Sequence, residues 1–367
     1  MHVIDRDREA LVPQAEYAKF LRSHLPPAAF CHNRNKLWIL LINVAILILG
    51  WGMASDLDQW SGYALGLYLP FALVMGNSII VLLFSTHDLM HSKTIKDPFF
   101  RQIVSLIGLA MLWMPPTLWK AVHNRVHHNN TNGLNDPDRN YLHSHPNNFG
   151  KWIQNLFAPS AEAHPFWVIF GLGYAWGVYT FRNLVSALVF NGEANPFSVD
   201  PVKVNARERK AIALEFALIS ALHLSIIAYL GVHPVKLILG YFLPLWIGYA
   251  GILFYVYTNH MLCQMTSIND PLCNSVSLRV PKIFDLLHLN FSYHTEHHIF
   301  PGLNSDYYPM VQTLLMQHYP ERFNLLTAGE AWRLMMQTPR HYKDETTFTN
   351  WTGEKTVPCP LSRSLKG

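Results

Sequence analysis

Four apolar segments constrain this chain more than any other feature: Leu37 to Ala54, Tyr63 to Phe84, Ala211 to Gly231 and Val235 to Tyr257. A helix needs about 20 mainly apolar residues to cross a hydrocarbon layer, and each segment is of that length. "SDLDQW" joins the first two and "VHP" the last two, so the spans read as two helical hairpins. Composition agrees. Half of the residues are hydrophobic and 14% are charged, against about 25% charged in a typical soluble domain. The 11 Trp, 16 Tyr and 21 Phe suit bilayer interfaces. The predicted fold class is an all-α integral membrane protein. It has four transmembrane helices in two hairpins, interfacial helices and a cytosolic histidine-rich cap.

The net charge of +4, with no Lys/Arg run, gives no footing for nucleic-acid binding; it suits an anionic membrane surface. Cys31, Cys263, Cys273 and Cys359 form no C-x-x-C pair, which argues against a thiolate zinc site and fits a reducing, cytosolic side. "MHVIDRDREALVPQAEYAKF" holds no apolar core of a signal peptide, so insertion falls to the internal spans. No repeat or linker divides the chain. It reads as one domain over 1–367: a cytosolic segment 1–36, a membrane region 37–260 and a cytosolic cap 261–367.

Two further apolar stretches are placed in or along the interface. Gln102 to Leu118 is short and ends in the helix-breaking "MPPT". Phe166 to Phe190 is interrupted by Arg182 and Asn183. With four crossings, the histidine-rich loops after the second and fourth spans share one face, together with both termini. Charge supports this orientation: Arg6, Arg8, Lys19, Arg22, Arg34 and Lys36 precede the first span, Lys93, Lys96 and Arg101 follow the second, and the two tight outer turns hold no Lys or Arg. Glu215 and His223 lie within the third span and are expected to turn towards protein or an interface.

Three clusters of histidine stand on the shared face. "HDLMH" supplies His87 and His91, "HNRVHH" supplies His123, His127 and His128, and "HTEHH" supplies His294, His297 and His298. Residues three or four apart share a helix face, so His87 with His91, His123 with His127, and His294 with both His297 and His298 are expected to converge. Eight clustered imidazoles have little use in packing, because each buried ring nitrogen needs a partner. They point to metal. Imidazole accepts zinc, copper, iron or nickel, and eight ligands exceed the three or four of one zinc. Two irons with open positions for dioxygen fit the count. Asp136, Asp138 and Glu296 are candidates to orient the ligands from behind, and Trp119 to line a substrate channel.

"WKAVHNRVHHNNTN" and "YHTEHHIFPG", with the ordered triplet of boxes separated by paired spans, resemble the membrane fatty acid desaturase and hydroxylase superfamily over most of the chain. The resemblance implies a non-haem di-iron centre of two Fe ions held by the eight box histidines, O2 as co-substrate and an external electron donor. It also implies a further ligand after the last span, where "YTNHMLCQ" places His260, with Asn259 beside it to hold a metal-bound water. No "HPGG" haem motif is present, so the donor is expected to be a separate ferredoxin or cytochrome b5-type protein with its reductase. The substrate class implied is a long acyl chain on a lipid, coenzyme A or acyl carrier protein, and the reaction is desaturation. The second box, H-x-x-x-H-H, is longer than the H-x-x-H-H of many acyl-lipid desaturases, which keeps hydroxylation of an alkyl chain or lipid open. A zinc-binding membrane receptor or transporter is a third class. Its pathway should show ionisable residues within several spans.

Overall fold

The computed structural model describes residues 11–31, 33–145, 149–191 and 202–362; Arg6, Arg8 and both chain termini lie outside them. Helix dominates. Four helices are long and apolar enough to cross a membrane: Asn35–Ala54, Gly62–His91, Ala206–Leu230 and Pro234–His260. The second continues past its apolar run to carry His87 and His91, and the fourth continues to end on His260. These imidazoles therefore stand on helix ends, which hold a side chain more rigidly than a loop does. Local chemistry sets the boundaries. A reciprocal Asn205–Glu208 capping box opens the third span. Gly231, at φ 77°, ends it, and Pro234 occupies the first turn of the fourth.

The second and fourth spans meet along small residues. A Cβ on Gly248 would lie 2.8 Å from Ile79, and one on Gly76 would lie 2.5 Å from Ile247, the close helix approach that glycine permits in membranes. The first and third spans keep outward sides of exposed aliphatics, such as Ile48 and Leu49, and Leu214 and Leu224.

Gln102 to Leu118 is not one continuous helix. It forms the helix Pro98–Ala110, turns through Trp113 at φ 55°, and restarts at Pro116. The turn leaves helix-end carbonyls without partners in their own helix, and three other helices supply donors. His223 Nε2 lies 3.0 Å from the Ala110 carbonyl, the Tyr249 hydroxyl 2.7 Å from that of Met111, and Trp176 Nε1 2.8 Å from that of Leu112. Glu215 is bound by the Thr117 backbone N–H at 2.9 Å, its hydroxyl and the Gln102 amide. Both polar residues of the third span thus face protein.

Phe166 to Phe190 is not among the four long apolar helices, as expected. Pro165–Val185 is one unbroken helix that passes into a π-helical turn, Ser186–Phe190. Arg182 and Asn183 stand inside it, each with hydrogen bonds that keep it there. Arg182 donates to the Pro137 carbonyl at 3.1 Å, and the Asn183 amide bonds back to the Tyr179 carbonyl at 3.1 Å. The cap adds a few short strands to this mostly helical fold. Ser277–Arg279 pairs in parallel with Leu325–Thr327, and His341–Asp344, Thr347–Thr349 and Thr356–Pro358 form an antiparallel sheet. All four cysteines are free.

Candidate metal centre

The three boxes arrive from different elements. His87 and His91 close the second span. His294, His297 and His298 lie on the short helix His294–Ile299 in the cap. The second box occupies a π-helical stretch, Lys120–His127, followed by a last turn, His128–Asn130. A π turn spaces its hydrogen bonds five residues apart and is common at functional sites. It therefore brings residues five apart onto one side.

The imidazoles converge as two adjacent groups, one of His87, His91, His123, His128 and His297, the other of His127, His260 and His298. His294 joins the second, its Nε2 lying 2.6 Å from that of His260 and 3.1 Å from that of His298. In the first, Nε2 of His123 is 3.1 Å from those of His87 and His128, and Nε2 of His128 is 3.2 Å from that of His297. The pairing of His87 with His91 is as the helix rule predicts. That of His123 with His127 is not: the π turn sends His123 with His128 into one group and His127 into the other. The cap helix divides likewise, His294 going with His298 while His297 joins the first group.

The rings are oriented from outside. His127 Nδ1 is 3.1 Å from both oxygens of Asp136, His260 Nδ1 is 3.0 Å from the Asn274 carbonyl, and His297 Nδ1 is 3.0 Å from the Tyr308 hydroxyl. Such contacts fix which nitrogen carries the proton and leave the opposite lone pair for a metal. Asp138 stands farther off, 4.0 Å from His127 Nδ1, and bonds the Tyr179 hydroxyl at 3.3 Å. Burial, opposed by His127, raises its carboxyl to about 6. Glu296 does not serve the ligands as expected. Its carboxylate turns the other way, to the Ser277 hydroxyl and, at 2.9 Å, the Gln312 amide, and burial raises it to about 7. Asn259 is fully buried, with neither amide atom partnered. Asn274 and Tyr308 orient ligands from positions that carry no histidine-box signal in the sequence. The only local signal for Tyr308 was its place in "FPGLNSDYYP", one helix past the third box.

Burial, reinforced by neighbouring imidazoles, holds His123, His128, His294, His297 and His298 well below the usual histidine range. They are neutral donors at pH 7. Burial is the strongest influence on His127 and acts in the same direction, but the charge and hydrogen bond of Asp136, with the charge of Asp138, together outweigh it and raise that ring. The geometry fits transition-metal ions. At metal–nitrogen distances of about 2.1 Å, two nitrogens 3.1 Å apart subtend about 95° at the ion, close to the right angle between neighbouring ligands of an octahedron. Within the first group one neutral imidazole nitrogen meets two others at such distances, an arrangement that hydrogen bonding alone satisfies poorly, since each neutral ring has a single N–H.

A cleft leads to both groups, reaching His87 and His123 of one and His127, His260 and His294 of the other. Its walls are largely apolar, among them Leu83, Phe157, Trp176 and Val256, with Arg182 and Asp138 as polar exceptions. Trp119 lines it and stacks on His123, ring centroids 4.5 Å apart. His341, outside the three boxes, is fully buried in the cap.

A family model described as "Fatty acid desaturase" matches residues 59–328, a stretch that holds all nine imidazoles. No curated protein matches the chain.

Proposed function

The chain belongs to the fatty acid desaturase family, and from that premise we propose that it introduces a carbon–carbon double bond into a long acyl chain at two irons held by nine imidazoles. One observation carries the reading: two histidine groups side by side at the end of an apolar cleft. A mid-chain methylene has no acidic proton and no leaving group, so acid–base catalysis cannot begin there. Bound iron supplies the activation of dioxygen that such a C–H bond requires. The balance is one saturated carbon pair, O2, two electrons and two protons giving one alkene and two waters.

The chain's own residues hold, orient and exclude. His87, His91, His123, His128 and His297 serve one iron; His127, His260, His294 and His298 serve the other. Asp136 keeps the proton of His127 on Nδ1, and Asn259 is set to hold a metal-bound water. Trp119, Leu83, Trp176 and Val256 press on an acyl chain laid along the cleft and keep water from its reacting carbons. Electrons come from a separate ferredoxin or cytochrome b5-type donor on the face of the boxes, which this reading places in the cytosol with both termini. The substrate is an acyl chain on a lipid, coenzyme A or carrier protein. The long second box does not by itself argue for hydroxylation, because the π turn absorbs its extra residue and still delivers a ligand to each group.

Expression in a host of known lipids, fed chains deuterated at successive positions, tests the proposal by mass spectrometry. Loss of one deuterium from each of two adjacent carbons is expected. An alcohol labelled from oxygen gas as main product would replace desaturation by hydroxylation. Stoichiometric zinc, without iron after iron-supplemented expression, would remove the di-iron reading.

A further inference from the structure

The cap segment between the strand Ser277–Arg279 and the third box bears an unusual surface. Its short helix, Lys282–Leu287, exposes Ile283, Phe284, Leu286 and Leu287, with Leu286 73% exposed. Four bare apolar side chains in six residues make a contiguous patch that water disfavours and that marks a contact with something apolar.

The next residue shows where the patch lies. His288 is buried, and its Nε2 is 3.1 Å from Asn77 Oδ1 on the second span, its Nδ1 2.9 Å from the Tyr255 hydroxyl on the fourth. Asn77 precedes the end of the apolar run at Phe84 by seven residues, about 10 Å along a helix axis. Before Asn77 the second span exposes Leu67, Leu73 and Val74; residues 79–84 beyond it are buried, with Phe84 stacked on Phe291 at 3.8 Å. The outward apolar stripe of the span thus runs on into the patch. The chain then reverses. Leu289 and Asn290 stand at φ 57° and 61°, a left-handed pair that is costly for leucine, and the chain returns through Phe291 to His294. Both ring nitrogens of His288 are partnered, as a polar group beneath a bilayer surface requires.

We infer that residues 282–288 form a membrane-inserted loop: the apolar side of the helix lies among lipid acyl chains in the leaflet nearest the histidines, and exposed Arg279 and Lys282 lie at the headgroups. The third box is then anchored through the bilayer as well as through protein. Insertion of this loop follows from the four spans and does not depend on the reaction proposed above.

The test uses the full chain in nanodiscs of phosphatidylcholine and phosphatidylglycerol, with a nitroxide on Leu286→Cys or Ile283→Cys in a Cys31→Ser background. Cys31 is the one exposed thiol. Leu73→Cys on the second span and Glu354→Cys on the cap calibrate the two extremes. Insertion predicts that oxygen collides with both test labels severalfold more often than a water-soluble nickel chelate does, as at Leu73. A collision ratio equal to that at Glu354, at both positions, overturns it. Metal content and thermal unfolding of each labelled sample report the fold. A water-exposed label on folded, metal-bearing protein rejects insertion alone.

Discussion

The histidine core and the polar pair of the third span are buried to similar degrees, yet they solve burial in opposite ways. Glu215 and His223 face donors and acceptors of the protein: Thr117 and Gln102 for the first, the Ala110 carbonyl and the Tyr241 hydroxyl for the second. His223 also lies flat on Trp113, 4.0 Å between centroids. In the core the outer nitrogens of His127, His260 and His297 find partners while the inner ones face one another. A polar group satisfied by the protein serves structure. A set of lone pairs aimed at a common point calls for an ion. Glu215 and His223, the ionisable groups singled out within the third span, are thus tied into packing.

The comparison breaks most readily at the inner nitrogens. His128→Ala and His298→Ala each remove one ligand from one group. Each is expected to lower metal content and to reduce activity by more than about 100-fold, beyond the 10–100-fold typical of residues behind the ligands. Plasma mass spectrometry of the purified variants checks this, and a variant that keeps its full metal would undo the grouping. Asp136→Asn tests the outer shell. The amide can present its N–H₂ to His127 Nδ1 and shift the ring's proton, so metal affinity should fall by about 10–100-fold in chelator competition, with the helical fold intact by circular dichroism.

The third span should give the converse result. Glu215→Leu leaves the Thr117 N–H and the Gln102 amide without an acceptor, a loss of about 1–3 kcal/mol. Thermal unfolding should move down while metal content per folded chain stays unchanged. His223→Phe keeps a flat ring against Trp113 and forfeits two hydrogen bonds, so a smaller loss of about 1 kcal/mol is expected. Loss of metal in either third-span variant would show that the two regions are coupled and that the division drawn here is false.

Sequence reading was strongest where one physical rule dominates. The four spans follow from length and apolarity, and their ends move by no more than seven residues between sequence and structure. His87 and His91 share a group because an ordinary helix aligns residues four apart. The same rule misplaced His127, since composition gives no sign that Lys120–His127 winds as a π helix. Arg182 and Asn183 marked Phe166 to Phe190 as a stretch apart from the spans, but their partners, Asp138, Pro137 and Tyr179, are visible only in three dimensions. Glu296 sits between ligands in sequence and faces away from them in space, drawn to Ser277 and Gln312.

By itself, then, the sequence determined a membrane-spanning helical chain, the presence of a polyhistidine site and the residues that supply it. These depend on side-chain chemistry and local spacing, which travel with the letters. Only the tertiary structure decided how nine imidazoles divide into two groups, which outer atoms orient them, and where a cap helix meets the second span. Those outcomes depend on contacts between residues as far apart as His128 and His297, or Asn77 and His288, and no local periodicity encodes a distance across the fold.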